Sequence, residues 1–123
     1  MCAASKIPSW LYHDFWSVLS AGEIYPQMRA IAVSFDENVG RVLARFYFDR
    51  EPTEFDSEAA DVILSLLASK YGESSNVVRI DEECVFSPAL IKDLDALDGF
   101  VFTRREYEMH TNPSLKPDYE LVT

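Results

Sequence analysis

Little in this 123-residue sequence lends itself to catalysis. Its only histidines are His13 and His110, and its only cysteines are Cys2 and Cys84. Neither histidine has a suitable second ligand three or four residues further on, the spacing that would put two donors on one helix face. His13 and Asp14 are adjacent, so on a helix they point apart. The two cysteines are too far apart for a metal-ligand cluster or a dense disulfide framework, and a reduced, cytoplasmic compartment is expected. Cys84, inside an apolar run, reads as a buried structural thiol. The four glycines, at 22, 40, 72 and 99, are scattered, and none forms a phosphate-cradling loop ahead of a helix. A Gly-x-Ser-x-Gly elbow is missing. Asp81-Glu82-Glu83 lacks the lysine, two residues after the last acid, that would complete a metal-dependent nuclease motif. No metal or cofactor is expected, and no enzymatic activity. No run is long enough for a membrane span. The start of the chain carries neither a basic segment nor the apolar run of a secretory signal, which again points to the cytoplasm.

Positive charge is also scarce. Eleven Lys+Arg face 21 Asp+Glu, a formal net charge of −10. Phosphate backbones and anionic membranes repel such a chain, whereas a basic protein is attracted and steered to it. An acidic surface also serves solubility alone.

Apolar content is ample, with 48% hydrophobic and 13% aromatic residues, enough for one core and too short a chain for two. We therefore expect a single domain over residues 1–123, with a partly mobile tail from about residue 109. Helical spacing of Leu11, Phe15, Val18 and Leu19, with Trp10 and Trp16 on the flanks, predicts a first helix over about Ser9 to Ala21, with Ser9 as N-cap and Gly22 as stop. Ile31, Val33 and Phe35, then Val42, Ala44, Phe46 and Phe48, alternate with period two around the turn Asp36-Glu37-Asn38-Val39-Gly40 and predict a hairpin with one apolar face. Thr53-Glu54-Phe55-Asp56 reads as a capping box with Asp56 in the usual glutamate's place. The helix that follows carries Phe55, Ala59, Val62, Ile63, Leu66 and Leu67, read as one core-facing stripe. A third strand is expected over Asn76 to about Ser87, where Glu82 breaks the parity and signals a bulge or an edge. A loop from Ala89 to Asp98 and a fourth strand from Phe100 to about Tyr107 complete the order α-β-β-α-β-β. The expected fold class is α+β, a two-layer domain with a four-stranded antiparallel sheet and both helices on one side.

Acids gather in two groups. One runs through Asp49, Glu51, Glu54, Asp56, Glu58 and Asp61. The other holds Asp81, Glu82 and Glu83 together with Asp93, Asp95 and Asp98. Each taken singly reads as a solvated helix start or polar loop, and the two together point to a binding surface.

The stretch from Phe46 to Asp56, FYFDREPTEFD, is followed by an amphipathic helix and then by Leu97 to Glu106, LDGFVFTRRE. This succession resembles the immunity proteins of contact-dependent growth inhibition systems over about Met28 to Glu108. An aromatic strand, an acidic Glu-Pro-Thr-Glu-x-Asp turn, a helix and a late Gly-aromatic-Val-aromatic-x-Arg-Arg strand occur there in the same order. The resemblance implies a cytoplasmic antitoxin that binds a cognate toxin domain, a basic nuclease such as a tRNase, and masks its active site. It carries over no catalytic role and no contact residues. The expected toxin-binding residues are Asp81, Glu82, Glu83, Asp93, Asp95 and Asp98. They belong to the group without a helix-capping duty, and Tyr107 is added as an aromatic anchor. A small-molecule-binding or enzymatic α+β domain is the alternative reading.

Overall fold

The computed structural model describes residues 6–20, 22–72 and 75–105. Tyr107 and the tail from 109 lie outside them, as do Cys2 and His110. The element order is α1 (Ser9–Leu19), β1 (Met28–Asp36), β2 (Arg41–Phe48), α2 (Glu54–Ala68), β3 (Arg79–Phe86), a single 3-10 turn (Ile91–Asp93) and β4 (Gly99–Thr103). This is the expected α+β succession, but the sheet is mixed, with order β3-β2-β1-β4. β1 pairs antiparallel with β2 and with β4, whereas β2 and β3 pair parallel. The all-antiparallel sheet expected from the sequence is thus corrected. The reason is α2. A helix of 15 residues returns the chain along the whole sheet, so the next strand starts at the same end as β2 and runs beside it in the same direction. β3 then lies at one edge and β4 at the other, and residues 87–98 cross the sheet between them.

Both helices pack on one sheet face. Leu11, Phe15, Val18 and Leu19 of α1 and Ala60, Ile63, Leu64 and Leu67 of α2 join Ile31, Val33, Val42, Ala44, Phe46 and Phe48 in one buried cluster. The four apolar α1 positions read from the sequence are all buried. Ser9 is not the cap, however. Pro8 holds that place and makes no side-chain cap bond. In the β1–β2 turn, Gly40 adopts φ +71°, while Asn38 does not take a positive φ. A Cβ on Gly40 would come within 2.7 Å of the Asn76 carbonyl and the Val78 side chain. The Gly40 carbonyl in turn accepts from the N–H groups of Val78 and Arg79 at 2.7 and 3.1 Å, which fixes the start of β3. Eight register pairs follow between β2 and β3 without a shift. The break at Glu82 therefore marks an edge strand and no bulge.

The α2 stripe needs a second correction. The buried positions are Asp56, Ala60, Ile63, Leu64 and Leu67. Phe55, Val62 and Leu66 are 61%, 45% and 40% exposed. The helix is rotated so that Ala60 and Leu64 face the sheet in place of Phe55 and Val62. At its N-terminus both halves of the capping box form. Asp56 N–H donates to Thr53 Oγ1 at 3.3 Å, and Thr53 N–H donates to Asp56 Oδ2 at 2.9 Å. The same carboxylate is fully buried and also accepts from Tyr25 Oη at 2.5 Å and Arg50 Nη2 at 2.8 Å. Burial by itself would push this carboxyl up. The hydrogen bonds from Arg50, Tyr25 and Thr53, with the charge of Arg50, outweigh that and hold it well below the usual carboxylate range.

Two predictions follow from this packing. Leu67→Ala should cost about 2–5 kcal/mol in urea unfolding, and Leu66→Ala, one residue away and exposed, less than about 1 kcal/mol. Asp56→Asn should cost about 3 kcal/mol at pH 7, because a buried charge and its hydrogen-bonded partners are separated. Since the folded carboxyl sits below its unfolded value, its stabilisation is complete at neutral pH and is lost as pH falls below about 4. Unfolding curves of Asp56→Asn should accordingly lose less stability between pH 6 and pH 3 than those of the parent chain.

Candidate functional site

The parallel pairing of β2 and β3 sets the charge pattern of the sheet face away from the helices. Arg41, Leu43, Arg45 and Tyr47 alternate onto that face from β2, and in register Arg45 stands beside Glu83 and Tyr47 beside Val85. Arg45 Nε donates to Glu83 Oε1 at 2.6 Å, and its Nη1 lies 3.4 Å from Asp95 Oδ2. Hydrogen bonding to Tyr47 and Glu83 raises the Arg45 pKa above its ordinary value. Arg41 Nε donates to Asp81 Oδ2 at 2.6 Å, and Arg79 Nε to Asp81 Oδ1 at 3.0 Å. These two donors lower the Asp81 pKa. The crossing segment lies over this face. Leu94 and Leu97 pack with Ala30, Ala32, Tyr47, Val85 and Phe100, and Tyr47 Oη donates to the Asp95 carbonyl at 2.9 Å.

The acids expected to act together are therefore divided. Asp81, Glu83 and Asp95 share one face and are paired with arginines. Asp98 Oδ2 accepts from the Phe35 N–H at 3.0 Å, tying the crossing segment to the end of β1. Asp93 is exposed in the 3-10 turn, with no ion pair among the described residues. Glu82 stands alone on the opposite face, in register with the small Ala44. Tyr107 falls outside the described residues.

The other acidic group is arranged differently. Glu54, Glu58 and Asp61 recur at helical spacing along the solvent side of α2, and all three are exposed. Among the described residues none of them pairs with a base. Phe55, Val62 and Leu66 form an exposed row beside them, with the half-buried Ala59 in the same line. At the head of this row Phe55 packs edge-on against Tyr25, with ring centroids 5.3 Å apart. An apolar strip thus lies next to an acidic strip on the exposed side of α2. The sequence carried a signal for it: α2 holds more apolar residues, from Phe55 through Ala68, than one buried face can accommodate. Reading them all as core hid the surplus.

Between α2 and the edge strand β3 lies a cleft of about 660 Å³. Leu64, Ser65, Ala68 and Tyr71 form one wall, and Val77, Val78 and Ile80 the other. Asp61 and Glu82 meet at the end nearer the start of α2. Burial raises the Glu82 carboxyl to about 7, with further contributions from its hydrogen bond to Asp61 and from that neighbour's charge. Cys84, half-buried on the same face as Glu82, is a free thiol whose pKa is raised by burial. Among the described residues no group of three or more His, Cys, Asp or Glu side chains could hold a metal ion, and no helix is long and apolar enough to cross a membrane.

The fold presents an acidic and apolar helix face, an edge strand and the cleft between them. No curated protein matches the sequence. A family model described as MafI2 immunity protein matches residues 8–106, from the start of α1 past the end of β4, and the chain belongs to that family.

Proposed function

We propose that this immunity protein is a cytoplasmic, non-catalytic antidote to a toxin of the contact-dependent growth inhibition type. We further propose that the toxin is a nuclease and that the outer face of α2 covers its active site. The observation that carries the reading is the row Glu54, Glu58 and Asp61, which no described base neutralises, beside the exposed Phe55, Val62 and Leu66. A nuclease presents a basic groove to its substrate phosphates, and an acidic helix complements that groove. The apolar row supplies the desolvated centre that acids alone do not. The acids paired with arginines behind the sheet have less free charge to offer. Asp93 remains as a rim contact.

The experiment is surface-plasmon kinetics with the toxin domain encoded beside this chain's gene. Glu54→Lys with Glu58→Lys should slow association about tenfold or more at low salt, and the difference should shrink at high salt. Val62→Asp should mainly speed dissociation. If Asp93→Lys with Asp95→Lys slows association while the α2 reversals leave it unchanged, the crossing segment is the binding face and α2 is not.

A further inference from the structure

We propose that the cleft between α2 and β3 is a receptor for one long cationic side chain of the partner, an arginine or a lysine, whose stem lies along the cleft and whose charged head sits between Asp61 and Glu82. This rests on the reading that the chain binds a basic toxin through α2, and it names the contact that gives the interface its register.

The cleft is built in two parts. Its middle and far end are mainly apolar, with Ser65 and Gly72 among the lining: Leu64 and Val77 are buried in the core, and Ile80 and Tyr71 are half-buried against it. Its near end is acidic. The span of α2 from Asp61 to Ala68, at about 1.5 Å per residue, is roughly 10 Å, enough for an extended arginine or lysine. An apolar channel ending in paired carboxylates matches the two halves of such a side chain, a hydrocarbon stem and a cationic head. A neutral apolar side chain would leave the carboxylates without a counter-charge, and a free metal ion would gain nothing from the hydrocarbon wall.

Several other acids have cations of their own. Asp81 has Arg41 and Arg79, Glu83 has Arg45, Asp56 has Arg50 and Asp49 has Arg104. Asp61 and Glu82 have each other. The groups facing Glu82 are Asp61 from α2 and Cys84 from its own strand, with Asp56 and Ser57 of α2 on the far side of Cys84. Arg79, at the cleft's rim, gives its Nε to Asp81. Without a guest, the pair holds a proton that Glu82 releases only near neutrality. A cation between the two carboxylates favours both ionised, so its binding expels that proton and weakens as pH falls below about 7.

The test uses the full chain and two probes, n-butylguanidinium and the bare guanidinium ion, followed by amide and carboxyl NMR shifts. At pH 8, butylguanidinium should give saturable shifts at Asp61, Leu64, Tyr71, Ile80 and Glu82. It should bind about tenfold more tightly than guanidinium, the gain expected from partial burial of a butyl stem. The Glu82 carboxyl should titrate at lower pH when the probe is bound. Asp61→Asn with Glu82→Gln removes the charge at nearly constant shape and should weaken the probe tenfold or more. Shifts spread over the acidic surface, equal affinity for the two cations, or undiminished binding in the double variant would overturn the proposal. Toxin binding separates the two levels. If the toxin fails to bind the parent chain, the functional reading fails while the probe result stands on its own. If it binds parent and double variant equally, the cleft is not its receptor.

Discussion

The parallel pairing of β2 with β3 is the constraint from which the rest of this architecture follows. Two parallel neighbours cannot be joined by a tight turn, so the chain must travel the length of the sheet between them, and α2 is the segment that does so. Because α2 lies over the sheet beside α1, half of its circumference is left to solvent. Because β3 ends at one edge while β4 pairs with β1 at the other, residues 87–98 must cross the sheet on its second face. The helices then occupy one side and the crossing segment the other. α2, the longest described helix, presents its outer surface next to the edge strand β3, and the cleft lies along that seam.

The same constraint governs the charge. Register places Arg45 beside Glu83, and Arg41, which stands opposite Arg79, reaches Asp81 diagonally, so both carboxylates find cations within the sheet. Exposed pairs of this kind contribute little stability each, about 1 kcal/mol or less. Their effect is on the outward field. Arginines that could have balanced the surface are occupied by strand acids, and the net charge of −10 is expressed where no arginine reaches. The outer face of α2 is such a place. Near the N-terminus of α2, Asp56 is the opposite case. Its charge is buried and held by Arg50, Tyr25 and the cap N–H, which pins the helix to the segment leading into β1.

Local chemistry was legible in the sequence, and long-range pairing was not. Thr53 and Asp56 announced the cap because both halves of that interaction lie within four residues. The β1–β2 hairpin was legible because period-two alternation and a turn ending in Gly40 lie in one contiguous stretch. The direction of β3 depends on where a 15-residue helix delivers the chain. That length was visible and is itself the argument for a crossover, yet reading consecutive strands as hairpins passed over it. The rotation of α2 was ambiguous because Phe55, Ala60, Val62 and Leu64 are all apolar, and only the sheet decides which of them it covers. The run Asp81-Glu82-Glu83 read as one acidic patch. A strand sends alternate side chains to opposite faces, so Glu82 left its neighbours for the cleft while they met arginines.

Membership of an immunity family makes a toxin the partner, and we propose that it docks on α2. NMR cross-saturation from the unlabelled toxin to deuterated immunity protein measures this directly, because only groups within a few ångströms of the partner lose intensity. Loss is expected along Glu54, Phe55, Glu58, Asp61, Val62 and Leu66, continuing into the strand lip of the cleft at Val78 and Ile80. Loss confined to residues 87–98, with α2 at full intensity, would contradict it.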